Sequence, residues 1–214
     1  MQKRGMFFLT ILTAFFFFHT ARLGALNLDE PASQVGVFGA ALLLSSIPAM
    51  NFNIKQPVSK EVFFGYGYDD HLEGKGEYIH QTLAVDFNYQ YNRNNRFWRY
   101  FQFQLEPFVS FVSSPDDNAE IGCVFFIKYT VPWDFPLKPY VRGGSGVILL
   151  TQETKELSTM FNFASQIGCG VSCALPRVNI SLEYRLRHIS NAEIKQPNDG
   201  IDDRIWLVGI GGNF

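Results

Sequence analysis

Near the C-terminus a histidine and a serine stand two apart, His188 and Ser190, at the end of the run VNISLEYRLRHIS and just before NAEIKQPNDGIDDR. In an extended strand, residues two apart share a face and are spaced by roughly 6.6 Å along the backbone, so an imidazole can lean toward a neighbouring hydroxyl. That pairing suits acyl transfer, because a serine hydroxyl is a weak nucleophile until a base takes its proton. An acid at the start of the next strand, Asp202 or Asp203, would orient the imidazole and stabilise its protonated form. The intervening loop offers Asn198, Asn191 and backbone N–H groups beside glycine as donors for an oxyanion. The same residues also suit a plain polar rim where a strand leaves a membrane, with Asn198-Asp199-Gly200 as an ordinary turn.

The elements that would hold these residues are strands. From residue 61 onward, period-two alternation recurs in eight segments, 61–69, 79–91, 97–113, 119–131, 138–151, 159–175, 178–190 and 203–214, separated by clusters of Gly, Asn, Asp, Pro and Ser. In the second, Leu83, Val85, Phe87, Tyr89 and Tyr91 oppose Thr82, Asp86, Asn88, Gln90 and Asn92. In the third, Phe101, Phe103, Leu105, Val109 and Phe111 oppose Gln102, Gln104, Glu106 and Ser110. Soluble sandwiches use strands of about 5–6 residues, whereas a tilted strand crossing a bilayer needs about 9–11. The segments match the second case. An all-β, eight-stranded antiparallel transmembrane β-barrel is therefore predicted over 61–214, apolar outside and polar inside. The last segment carries Trp206, Val208, Ile210, Gly212 and Phe214 on one face, which resembles the aromatic-terminated closing strand of bacterial outer-membrane barrels.

In the seventh segment Glu183, Arg185 and Arg187 share one parity and must face the lumen, since a cation on the lipid face costs about 2–4 kcal/mol at mid-membrane. His188 and Ser190 then continue the lipid-facing row. An eight-stranded barrel is filled by its own side chains, so solute transport is a poor expectation and function should lie at the rim or on the outer surface.

The remaining features bound the alternatives. Gln2-Lys3-Arg4, the apolar run Met6 to Phe18 and the small residues before position 26 read as an export signal over 1–25, and the apolar stretch Val35 to Ile47 leaves 26–60 without an assigned structure. At 214 residues and a formal charge of -2, the chain is one domain with no basic field for nucleic acid. Cys123, Cys169 and Cys173 are an odd set without zinc spacing and read as buried or lipid-facing hydrophobes. His71 and His80 have no partner cluster, so no metal is expected and, for serine-dependent ester hydrolysis, no cofactor. VRGGSGV around Ser145 fails the GxSxG elbow at Val147 and reads as close strand packing. Trp98, Tyr100, Trp133, Tyr140 and Trp206 are expected as girdle residues.

The string HISNAEIKQPNDGI resembles the lipid A 3-O-deacylase family, whose signature joins an H-x-S-N-A segment to a K-Q-P-N-D-G-I loop near the C-terminus. LEPFVSFV, LKPYVRGGSGV and FNFASQIGCGV are more weakly similar, and the resemblance covers about 61–214. It implies an outer-membrane enzyme, exported by its signal, whose triad faces lipid and removes the ester-linked 3-hydroxyacyl chain at position 3 of lipid A. Carried over by position, Ser190 is the nucleophile, His188 the base and Asn198 a side-chain oxyanion donor. The family's third member is a glutamate where this chain has Asp202, one methylene shorter, with Asp203 as the competing acid. The family usually has glycine where this chain has Glu193, whose backbone N–H would still donate. The implied partners are lipopolysaccharide and the membrane, with self-association open. The rival expectations are a non-catalytic adhesin-like or membrane-stabilising barrel, and an acyltransferase acting on the same lipid.

Overall fold

The computed structural model describes residues 57–69, 77–90, 96–154 and 156–213. The expected export segment, the 35–47 stretch, His71 and Phe214 lie outside them.

Eight strands, β1 (Ser59–Asp69), β2 (Tyr78–Gln90), β3 (Phe101–Ser114), β4 (Asn118–Thr130), β5 (Leu137–Leu150), β6 (Phe161–Ala174), β7 (Asn179–Ser190) and β8 (Ile201–Asn213), form a closed barrel in sequence order. Every neighbouring pair is antiparallel, and β1 closes on β8 from Ser59 opposite Asn213 to Tyr68 opposite Arg204. Closure leaves no sheet edge, so each strand's backbone groups are paired within the wall, as a hydrocarbon surrounding requires. The shortest strand has 11 residues and the longest 14, enough to cross a bilayer at a tilt.

The predicted faces hold. Phe64, Leu83, Phe111, Ile121, Phe125, Val141, Ile167, Leu182, Val208 and Ile210 are exposed on the outside, while polar residues of the opposite parity are buried in the lumen. All three cysteines are free and lie on the outward parity of β4 and β6. Two expectations are corrected. Tyr140 is no girdle residue: it is 2% exposed, and its hydroxyl donates to Glu183 at 2.8 Å inside the barrel. The third segment begins not as strand but as a 3-10 turn, Trp98–Tyr100, because Phe97, Trp98 and Phe101 pack their rings together before the ladder starts.

The lumen is a connected ionic core. Arg142 donates to Asp86 at 2.7 Å, Glu106 at 2.8 Å and Glu183 at 2.9 Å. Arg185 bridges Glu106 and Glu183, and Arg187 bridges Glu120 and Asp203. The Arg142 guanidinium also lies 4.4 Å from the Phe126 ring centroid. A buried ion costs several kcal/mol of desolvation unless paired, and here each guanidinium meets at least two carboxylates. With these side chains 0–2% exposed, the interior is filled rather than open. The VRGGSGV stretch belongs to this packing: a Cβ on Gly146 would fall 2.0 Å from the Cys123 carbonyl oxygen.

Candidate active site

Strand β8 begins two residues earlier than its alternation suggests, at Ile201, and that extension brings the outward-facing polar residues together. Antiparallel pairing sets His188 of β7 directly opposite Asp202 of β8. The imidazole Nδ1–H donates to Asp202 Oδ1 at 2.7 Å, the protonated nitrogen following from a carboxylate's being an acceptor only. This bond fixes the ring and leaves Nε2 as its basic nitrogen. The histidine side chain is 18% exposed and the aspartate 77%. Ser190 is the last residue of β7, 9% exposed, on the same outward parity as His188. No hydrogen bond joins its hydroxyl to the imidazole among the described residues, a separation common in substrate-free hydrolases.

Asp203 points the other way. One residue along a strand changes face, and its carboxylate sits in the lumen, accepting from Arg187 Nε at 2.9 Å and lying 3.1 Å from His80 Nε2. His80 in turn meets Thr82 at 2.9 Å, which completes an internal acid–histidine–hydroxyl chain sealed inside the barrel.

The β7–β8 connection, 191–200, is built around a tight turn in which Ile194 N–H donates to Asn191 O and both central residues are left-handed, Ala192 at φ 53° and Glu193 at φ 63°. A side chain in that region costs on the order of 1–2 kcal/mol, a strain that glycine at position 193 would not carry. Asn198 is oriented by the Asn191 backbone N–H, which donates to its Oδ1 at 2.8 Å and so leaves the amide NH2 as the available donor. Asn191 itself is fully buried, its side-chain amide donating to Lys195 O at 2.7 Å, so it is spent on the loop rather than brought to the serine.

The β5–β6 connection, 151–160, clasps this loop. Leu157 forms a β-bridge with Asn198, Asp199 N–H donates to Glu156 O at 3.0 Å, and Ser158 donates through its hydroxyl to Lys195 O at 2.8 Å. Leu157 is fully buried beneath the contact. Sequence reasoning leaves these residues in the break between the fifth and sixth alternating segments, and no local pattern marks a loop that docks on another. It also missed Ser165 of β6, which stands opposite His188 on the outward face with its hydroxyl 3.2 Å from Ser145. Among the described residues no group of three metal-ligating side chains converges.

Gly200 packs against the imidazole from the loop side. Its φ is +77°, and a Cβ there would fall 2.9 Å from His188 Cε1. Gly200→Ala is therefore expected to strain the turn and displace the ring. Misplacement by about 1 Å costs on the order of a hundredfold in rate. The check is kcat for ester hydrolysis beside the heat-modifiable migration of the folded barrel, and unchanged kcat would show that Gly200 does not position His188.

Comparison with known proteins adds to this geometry. Residues 79–209, more than half of the chain, match the family model described as Lipid A 3-O-deacylase (PagL). The Lipid A deacylase PagL of Pseudomonas aeruginosa is 36% identical over 69 residues, 31% of this chain and 38% of that protein, so the alignment spans well under half of the relative. The crystal structure of the outer membrane enzyme PagL superposes with a TM-score of 0.54 at 18% identity, covering 72% of this chain and 99% of the other. Neisserial surface protein A superposes equally well, TM-score 0.55 at 13% identity, covering 73% of this chain and 96% of the other. Overall shape thus does not distinguish between an enzyme and a protein named only for its place on a surface, and any functional argument falls on the site.

Proposed function

Because the chain belongs to the lipid A 3-O-deacylase (PagL) family, we propose that it is an outer-membrane serine esterase that removes the 3-hydroxyacyl chain ester-linked at position 3 of lipid A, with Ser190, His188 and Asp202 as its triad. The observation that carries this reading is the His188–Asp202 bond on the lipid-facing side of the barrel, beside Ser190 and beneath a loop presenting Asn198. A plain polar rim would need no histidine held by a carboxylate beside a serine on the outward face.

Placement supports the substrate. The connections β1–β2, β3–β4, β5–β6 and β7–β8 all open at the end opposite Ser59 and Asn213. With this end at the outer surface, the site meets the leaflet in which lipopolysaccharide resides. A lipid ester there reaches Ser190 by lateral diffusion without leaving the membrane.

In the proposed reaction, His188 Nε2 takes the proton of Ser190 Oγ as that oxygen attacks the ester carbonyl. The carbonyl oxygen gains negative charge and is received by the Asn198 side-chain NH2 and the Glu193 backbone N–H. Asp202 holds the imidazolium through the Nδ1–H bond. Collapse breaks the bond to the sugar oxygen, which leaves with the proton from Nε2, and a seryl ester remains. Water, deprotonated by His188, then attacks that ester, releases the 3-hydroxy fatty acid and restores Ser190.

Purified lipid A incubated with the refolded protein is expected to lose the mass of one 3-hydroxyacyl group, with free fatty acid in equal amount. An acyltransferase would instead move the chain to a second lipid, with no free acid. No mass change with a folded barrel would leave the non-catalytic reading.

A further inference from the structure

The lipid-facing rows of β5 and β6 carry two hydroxyls. Apart from Ser145 on β5 and Ser165 on β6, the outward residues of these strands are Leu, Pro, Val, Gly, Phe, Ile and Cys. Both serines stand inside their strands rather than at an end. Hydrocarbon offers a hydroxyl no partner, so polar groups there must be completed by the protein or by what it binds. Strand pairing puts both on one rung with the candidate triad: Ser145 is opposite Ser165, Ser165 opposite His188, and His188 opposite Asp202. A polar line thus crosses four strands of the outer wall.

Counting protons along that line leaves one acceptor over. A serine hydroxyl has a single proton to donate and two lone pairs. Ser145 Oγ donates to the Ala164 carbonyl oxygen at 3.3 Å, and the two serine oxygens lie 3.2 Å apart. With the Ser145 proton on that carbonyl, the Ser165 proton must point to Ser145 Oγ. Ser165 Oγ is left as an acceptor, and no donor reaches it among the described residues. A donor arriving with the lipid would complete it.

The acyl chain of a bound ester passes that oxygen. Ser190 ends β7 at the rim, so a chain whose carbonyl is held there must run down the wall into the membrane. On the β8 side the descent meets two charged side chains, Asp202 and Arg204, whereas on the β6 side it meets Ser165 and then the exposed Ile167. Gly143 and Ser145 of β5 stand opposite Ile167 and Ser165 and keep the wall low beside this path. An apolar chain therefore takes the β6 side. Phe163 is the residue opposite Ser190, so Ser165 and Ser190 are diagonal neighbours, roughly 7–8 Å apart. An approach of about 3–3.5 Å between Ser190 Oγ and the carbonyl carbon, with a hydroxyl hydrogen bond of about 2.7–2.8 Å at Ser165, leaves a gap that the bonds from the carbonyl carbon to a hydroxyl on the third carbon bridge.

We infer that Ser165 is a specificity-determining residue that accepts a hydrogen bond from the 3-hydroxyl of the acyl chain held at Ser190, with Ser145 taking the Ser165 proton. The inference rests on the deacylase reading above, and the test separates the two. The probes are a diacylated glucosamine 1-phosphate with a 3-hydroxytetradecanoyl ester at position 3 and a twin that differs only in carrying plain tetradecanoyl there, both in detergent micelles. Full-length Ser190→Ala protein, which holds lipid without turnover, is expected to bind the hydroxylated probe about tenfold more tightly, the scale of one hydrogen bond. Adding Ser165→Ala should abolish that preference, and Ser165→Thr, which keeps the hydroxyl, should retain part of it. With Ser190 intact, Ser165→Ala should lower the ratio of kcat/KM between the probes by a similar factor, a comparison in which the intrinsic reactivity of each ester cancels. Heat-modifiable migration reads the barrel throughout. Equal binding of the two probes, or a preference that survives Ser165→Ala, overturns the inference. Hydrolysis of both probes at a ratio indifferent to Ser165→Ala sinks the hydroxyl site but leaves the esterase standing. Hydrolysis of neither, beside a binding preference that Ser165→Ala removes, sinks the esterase but leaves the hydroxyl site.

Discussion

Ser190→Ala is expected to lower ester hydrolysis by about 10⁵ to 10⁶, the scale seen when a serine hydrolase loses its nucleophile. The residual rate would come from whatever the Asn198 amide and substrate placement still contribute to direct attack by water. The fold should be untouched. Ser190 is the last residue of β7, its hydroxyl bonds to no described group, and its backbone pairing with Phe163 does not involve the side chain. Release of 3-hydroxy fatty acid under single-turnover conditions reads the chemistry, and heat-modifiable migration reads the barrel. An alanine variant that is folded and active would remove Ser190 from the mechanism, and the alternative nucleophile on the same face would be Ser165, opposite His188.

The adjacent aspartates should separate by the property each one damages. Asp202→Asn presents an amide to His188 Nδ1, which favours the tautomer with its proton on Nε2 and so removes the base. The expected loss is on the order of 10⁴ in kcat with little change in stability, because the Asp202 side chain is 77% exposed and packs against little of the wall. Asp203→Asn should do the reverse. Its carboxylate is fully buried against Arg187 and His80, and breaking a buried pair costs about 3 kcal/mol, though Glu120 still holds Arg187 at 2.6 Å. The variant should therefore melt lower in detergent while retaining near-normal turnover once folded. Equal kinetic losses from the two substitutions would mean that the lumen network and the triad are coupled through the wall, and would leave the identity of the acid open.

The fold was legible because the lipid and the lumen impose opposite demands at a period of two. Apolar residues recur at every second position from Leu83 to Tyr89 in β2, from Phe101 to Phe111 in β3 and from Ile180 to Leu186 in β7, so the faces of Asp86, Glu106, Arg185 and Arg187 follow from sequence without coordinates. Segment lengths fixed the membrane crossing in the same way, and a closed barrel is the arrangement of strands that leaves no backbone edge in hydrocarbon. The reading failed at strand ends, where that demand relaxes. Tyr140 near the start of β5 is aromatic enough for a girdle but is held inside by Glu183, whose position on β7 is distant in sequence.

For the candidate site, sequence alone determined the face of His188 and Ser190, since the neighbouring Arg185 and Arg187 cannot face lipid and parity then assigns the rest. The choice between Asp202 and Asp203 belonged to tertiary structure. Both lie one residue apart at the end of a ten-residue loop, and only the β7–β8 register decides which stands opposite His188. That register is set by the whole ladder from Asn179 opposite Gly211 upward, and its closing rungs extend β8 two residues beyond its visible alternation. The clasp of Leu157 and Ser158 on the Asn198 loop is likewise a product of barrel closure. Contacts between segments far apart in the chain leave no local periodicity, because they are selected by the energy of the assembled wall rather than by the conformational preference of either segment.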